Sequence, residues 1–151
     1  MSGVSTLRKV VFAPGCKVRA IPARMFDGCK LIKAIEIPAS VEEIGEGCFS
    51  GCYSLGRVTF AEGSRLKMIG SQAFHDCNDL KEIEIPASVE EIVELCFAFS
   101  GLERVTFEAG SSLKRIEDRA FSYCPNLKDV INLPANVEIE DETILKIIGK
   151  K

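Results

Sequence analysis

The ten residues Ile83-Glu84-Ile85-Pro86-Ala87-Ser88-Val89-Glu90-Glu91-Ile92 repeat Ile35-Glu36-Ile37-Pro38-Ala39-Ser40-Val41-Glu42-Glu43-Ile44 without a change, 48 positions later. A chain that copies itself at a short fixed period folds as a solenoid, because one unit cannot bury its apolar face alone and must stack on the next. Aligned on their first apolar anchor, the units begin at Leu7, Ile32, Leu55, Leu80, Leu102 and Leu127, with spacings of 25, 23, 25, 22 and 25 residues. Two coil types alternate. The long type runs Leu55-x-x-Val58-x-Phe60, crosses an Ala61-Glu62-Gly63-Ser64 turn and reaches Leu66-x-x-Ile69. The short type runs Leu80-x-x-Ile83-x-Ile85, breaks at Pro86-Ala87-Ser88 and reaches Val89-x-x-Ile92 two residues sooner. Both rejoin at a phenylalanine, Phe26, Phe49, Phe74, Phe97 or Phe121, so the natural unit is a pair of coils.

Each aligned column reads as one ladder of stacked side chains. Alternation in Glu82-Ile83-Glu84-Ile85 turns the isoleucines inward and the glutamates outward, which predicts one parallel strand per coil. Pro38, Pro86 and Pro134 follow that strand, where a missing amide donor ends pairing. The segment from Gly70 to Cys77 has the spacing of one helical turn or 3₁₀ piece and is expected to close the coil on the convex side.

The pattern L-x-x-I-x-I-P-x-S-V-x-x-I-G-x-x-x-F-x-x-C, running from about residue 4 to residue 139, resembles the BspA-like (Treponema-type) leucine-rich repeat family. The resemblance implies an α/β solenoid of about six coils, with one parallel β-sheet and short helical or 3₁₀ turns on the convex side. It also implies recognition of a macromolecule, as in family members on bacterial and protist surfaces, and it brings no catalytic residue with it.

At 151 residues, 46% hydrophobic and 27% charged, the chain is expected to form a single domain over residues 1–151. No apolar run approaches the roughly 18 residues of a membrane span, so membrane insertion is not expected. Met1 to Lys9 contains no signal-type apolar region, which predicts a cytoplasmic chain or, if it is a fragment of a longer protein, one that is cell-surface or secreted.

Seven cysteines invite a disulfide or metal reading. Cys29, Cys52, Cys77 and Cys124 share one column, and Cys48 and Cys96 share the small-residue column of Ala73 and Ala120, which is how free buried cysteine behaves. Only Cys16 falls outside. An odd count favours reduced thiols, and Cys48-x-x-x-Cys52 without a histidine makes a poor zinc site. The single histidine, His75, stands beside Asp76 with no oxyanion loop, and no phosphate-cradling or hydrolase motif occurs. The sequence therefore predicts neither an enzyme nor a bound cofactor.

Charges alternate by coil type. After the second anchor stand Arg19, Glu42, Lys67, Glu90, Lys114 and Glu138; on the strand face stand Lys9, Ala34, Arg57, Glu82, Arg104 and Asp129. Beside the latter run Glu36, Thr59, Glu84 and Thr106. Such columns serve either as a self-neutralising ladder that fixes stacking register or as a recognition stripe. Taken as a stripe, the candidate binding face for a protein partner comprises Lys9, Glu36, Arg57, Thr59, Glu82, Glu84, Arg104, Thr106 and Asp129. Nucleic acid is not expected, because a net charge of −3 with carboxylates at every second coil offers no continuous basic track.

At the C-terminus the repeat decays into Glu140-Asp141-Glu142-Thr143-Ile144-Leu145-Lys146-Ile147-Ile148-Gly149, acidic first and apolar later, which predicts a capping helix over about 140–149. The N-terminus shows no such cap and offers an edge for homo-oligomers. Two function classes follow: a non-catalytic protein-binding module using the strand face, or a structural or assembly unit, such as an adhesin fragment, joined through its uncapped end.

Overall fold

In the computed structural model, which describes residues 6–149, the coils stack as a parallel β-solenoid with three sides. The first side is a continuous six-stranded parallel sheet of two-residue strands: β1 (Ala20–Ile21), β3 (Glu43–Ile44), β5 (Met68–Ile69), β7 (Glu91–Ile92), β9 (Arg115–Ile116) and β11 (Glu138–Ile139). The second side carries longer strands: β2 (Ala34–Ile37), β4 (Arg57–Phe60), β6 (Glu82–Ile85), β8 (Arg104–Phe107) and β10 (Asp129–Ile131). The third side is made of turn segments at 23–28, 46–51, 71–76, 94–99 and 118–123.

The stacked coils, the parallel strands and the C-terminal helix agree with the sequence, and two details of the coil differ. Strands occupy two sides instead of one, because the second anchor of each coil is also a strand. In Glu43–Ile44 the glutamate points out and the isoleucine in, an alternation too short to identify from sequence but stabilised by a partner above and below. The expected helical or 3₁₀ piece is a chain of turns. Cys48 N–H donates to the Gly45 carbonyl at 3.2 Å and Ser50 N–H to the Gly47 carbonyl at 3.1 Å, both within the coil. The intervening amides of Gly47, Phe49 and Gly51 donate to Ser71, Ala73 and His75 of the next coil, at 2.9, 2.8 and 2.8 Å. An α-helix would keep both sets inside the coil.

This alternation sets the backbone in the left-handed region at the second and sixth residues of each turn segment. Coil two uses glycine there, Gly47 at φ 62° and Gly51 at 73°. Later coils hold the same shape with Gln72 and Asp76, Leu95 and Phe99, and Arg119 and Tyr123, at φ between 58° and 63°. Each such residue costs roughly 1–3 kcal/mol, which the surrounding inter-coil bonds must offset.

Inside the three sides run unbroken apolar columns. Phe26, Phe49, Phe74, Phe97 and Phe121 stack face to face with centroids 5.2–5.4 Å apart. Ile21, Ile44, Ile69, Ile92 and Ile116 form a second column and are likewise buried. The duplicated Pro-Ala-Ser turn also ties coils together, since Ser40 Oγ donates to the Val18 carbonyl at 2.6 Å and Ser88 Oγ to the Leu66 carbonyl at 2.5 Å. The same turn accepts from the following long coil, through Arg65 N–H to Ala39 and Ser112 N–H to Ala87.

The capping helix is shorter than expected, α1 spanning Glu142–Ile147. Its N-cap, Asp141, is buried and bonds in two directions: Oδ1 accepts the Ile144 amide of the helix and Oδ2 the Phe121 amide of the last turn segment, both at 2.8 Å. Burial pushes the Asp141 carboxyl up, against the backbone amides that pull it down. Ile144, on the inner face of the helix, is fully buried.

Two variants test this packing. Phe74→Ala is expected to cost about 3–5 kcal/mol in chemical denaturation, since both neighbouring rings line the cavity left behind. Asp141→Ala removes two bonds at once, so a loss of about 1–3 kcal/mol is expected. It should also speed amide exchange at Phe121 and Ile144, and unchanged exchange there would mean that the carboxylate does not hold the cap.

Candidate functional site

The long strands bring most of the expected face together. Register places Ala34 beside Arg57 and Glu36 beside Thr59 on β2 and β4, and Glu82, Arg104 and Asp129 in one row across β6, β8 and β10, with Glu84 beside Thr106. Their side chains point outward because the alternate residues, such as Ile35, Val58, Ile83 and Val105, are buried. Arg104 reaches Asp129 at 3.5 Å, and both are half-exposed, so the pair contributes no more than about 1 kcal/mol.

Lys9 does not join them. Residues 7–13 form no strand, so Lys9 has no partner in a β-ladder. Lys9 instead lines a cleft of about 680 Å³ that separates residues 9–16 from β2 and also touches Glu36, Arg57 and Thr59. The face is interrupted a second time. β4 pairs with β2 and β6 pairs with β8, but β4 and β6 do not pair with each other. A hollow of about 490 Å³ lies along that seam, lined by Arg57, Thr59, Glu82, Glu84 and Thr106 among others. Pairing is thus strongest from a short coil to the long coil that follows, where four residues are in register at both β2–β4 and β6–β8.

On the first side the charge column is corrected at its end. Glu138 lies opposite Arg115, and Val137 follows Lys114, because the extra residue in Val130-Ile131-Asn132-Leu133 shifts the last coil by one. Of the alternating residues, Lys114 and Glu90 approach to 3.8 Å.

The cysteines form no disulfide, and all are buried except Cys16, which is partly exposed. Three of them donate to the phenylalanine carbonyl of an earlier coil: Cys52 to Phe26 at 3.2 Å, Cys77 to Phe49 at 3.3 Å and Cys124 to Phe97 at 3.1 Å. Ser100 fills the same column in coil four and meets Cys124 Sγ at 3.3 Å. Burial pushes the Cys48 and Cys52 thiols up to about 12 and raises those of Cys77 and Cys96 well above the ordinary value. Among the described residues no group of three or more histidine, cysteine or acidic side chains could hold a metal ion.

Alignment of the coils does not by itself single out the turn side, where exposed aromatic residues gather. Phe99 and Tyr123 stack on each other with centroids 4.6 Å apart, and His75 meets Phe99 edge-on at 5.2 Å while its Nδ1 lies 3.4 Å from Asp76. His75 is therefore partly covered rather than a freely solvated side chain. The signal lies two residues after the coil phenylalanine, where Gly28 and Gly51 give way to Asp76, Phe99 and Tyr123.

Six copies of the BspA type leucine rich repeat match the chain over residues 4–146. The chain belongs to this family. Its fold is similar to that of a leucine-rich repeat protein from Bacteroides ovatus, at 32% identity and a TM-score of 0.71 over 88% of this chain. It is also similar to the T. pallidum leucine-rich repeat protein, at 28% identity and a TM-score of 0.60, with 84% of this chain and 69% of that one covered. The pneumococcal vaccine antigen PcpA, at 21% identity and a TM-score of 0.56 over 87% of this chain and 46% of its own, shares the fold. The search of curated proteins found no match. The chain spans 33% of the Bacteroides ovatus protein, so what the BspA-type repeat does here has to be read from its own surface.

Burial of the thiols has a direct readout. A thiol reagent at neutral pH should modify Cys16 only in the native protein and seven cysteines after denaturation without reductant. Three blocked pairs would contradict the free-thiol state.

Proposed function

We propose that this chain is a non-catalytic protein-binding module whose partner lies across the outward face of the long strands. The observation that carries this reading is a pair of in-register segments on the long-strand side, Glu36, Arg57 and Thr59 on β2–β4 and Glu82, Glu84, Arg104, Thr106 and Asp129 on β6–β8–β10. The seam between β4 and β6 adds relief to that face, a hollow in which a partner side chain could seat between Arg57 and Glu82. Mixed charge suits a polypeptide with charges of both signs; a nucleic acid backbone would meet Glu36, Glu82 and Glu84. Free thiols suit a reducing compartment, which supports a cytoplasmic setting. The Bacteroides ovatus protein, 33% of which the chain spans, shows that such an array also occurs within a longer chain, which fits the alternative setting of a fragment. Among the described residues no helix is long and apolar enough to cross a membrane.

A second reading, assembly through the N-terminal edge, has one observation in its favour. Gly56 and Arg57 amides bond the Lys33 carbonyl and the Ala61 amide bonds the Ile37 carbonyl, so these residues of β2 and its margin turn their backbone groups toward β4. Alternate residues of a strand face opposite neighbours, which aims the backbone of Ala34 and Glu36 into the open cleft. A strand from a second copy would find donors and acceptors there.

Affinity capture from a lysate of the source organism, quantified by mass spectrometry, separates these readings. Arg57→Glu with Arg104→Glu should abolish recovery of a partner that Gln72→Ala with His75→Ala still captures. Equal loss from both sets, or loss only from the second, would place the partner elsewhere. Mass by light scattering that rises with concentration, and that Glu36→Pro returns to the monomer value, would favour assembly instead.

A further inference from the structure

The last residue of every turn segment has the same left-handed backbone: Gly28, Gly51, Asp76, Phe99 and Tyr123, with φ of 75°, 73°, 61°, 61° and 58°. Coils one and two fill it with glycine, the residue that this backbone favours, so the coil shape does not need a side chain here. Coils four and five nevertheless hold large rings there, and those rings are not used for the core. Phe99 is 42% exposed and Tyr123 72%.

The two rings form a small stack whose outer member is Tyr123. They lie nearly parallel, 13° apart, with His75 closing the Phe99 end, and Tyr123 keeps most of its ring open to solvent. An open aromatic face carries negative potential and attracts a cation. At about 5 Å per coil, the Asp76 carboxylate stands some 10 Å from Tyr123 along the solenoid axis, a distance that about three residues of extended chain cover. The surroundings have the same sign. Over residues 71–79, 94–101 and 118–126 the charged groups are Asp76, Asp79, Glu94 and Asp118 against Arg119, which is already paired with Asp118 at 3.8 Å, and the one further cation that reaches these segments, Lys81, is bonded to the Asn78 carbonyl at 3.3 Å. The strand face, with its mixed signs, has no such bias.

We propose that the turn side of coils three to five is a second binding surface, one that takes a cationic polypeptide segment with a lysine or arginine on the open face of Tyr123, the outer ring of the stack, and another basic side chain against Asp76. The segment runs along the solenoid axis, crossing three coils. This surface is separate from the strand face, and its variants leave that face untouched.

The probe is a blocked hexa-arginine peptide titrated into the full chain, labelled with nitrogen-15, at physiological salt, with hexa-glutamate as the control. Saturable shifts are expected at the amides of His75, Asp76, Phe99 and Tyr123, with none from the control. Phe99→Gly with Tyr123→Gly should raise Kd about two- to fivefold, the scale of a lost cation–π contact at an exposed site. Its melting temperature should not fall, because glycine already holds this place in coils one and two. Phe99→Leu with Tyr123→Leu, which keeps apolar bulk but removes the π faces, should weaken binding as well, and Asp76→Asn should weaken it without touching the rings. Unchanged affinity in the double glycine variant, shifts centred on Glu82 and Glu84, or no binding at millimolar peptide would each overturn the proposal.

Discussion

The structure depends on the amides that leave one turn segment for the next. On the turn side Arg24, Phe26 and Gly28 donate to Glu46, Cys48 and Ser50; Gly47, Phe49 and Gly51 repeat the step one coil later; Phe97 and Phe99 repeat it to Ala120 and Ser122. Each of these bonds runs from an earlier coil to a later one. At the strand margins the sense reverses, as in Glu42 to Arg19 or Ala61 to Ile37. A coil is therefore tied to its neighbours by donors on one side and acceptors on another, and the Phe and Ile columns fill the space that this framework fixes. The framework also decides the chemistry of the end. The last turn segment offers amides with no later coil to accept them, and a carboxylate, Asp141, is the group that answers one of them.

The columns were legible because stacking makes one residue answer for another. Phenylalanine every coil, cysteine trading places with alanine, and a closing run with acidic residues ahead of apolar ones each have a reason that holds within a single unit. What escaped the sequence depends on relations between units. Glu43–Ile44 becomes a strand only because another pair lies above and below it, and Leu95 and Arg119 accept a left-handed backbone that their own preferences would refuse. Glu138 was displaced by one inserted residue, visible as an extra letter but not as a change of register. The departure of Lys9 from the strand face and the seam between β4 and β6 have no local mark at all: the strands Arg57–Phe60 and Arg104–Phe107 read identically as Arg-Val-Thr-Phe, yet β8 pairs on both sides and β4 on one.

The three sides divide the labour of the molecule. The first, with its short strands, alternates in charge through Glu42, Lys67, Glu90 and Lys114, of which Glu90 and Lys114 approach to 3.8 Å. The second alternates in charge too, but two interruptions break it into segments with relief between them. The third is uniform in backbone and variable in side chain, from glycine through aspartate to tyrosine at one position. On the proposed reading, recognition by this BspA-type array is a matter of which side chains are hung on a scaffold whose path changes little.

Asp141 bears on how such an array grows. The carboxylate asks its neighbour only for a backbone amide in a turn segment, and it makes no demand on the side chain that carries it. Phe49, Phe74 and Phe97 offer that amide in the same posture as Phe121. A duplicated pair of coils slipped in ahead of the cap would meet the same closing group, with no new terminus to invent. The closing bond is thus indifferent to the height of the stack beneath it.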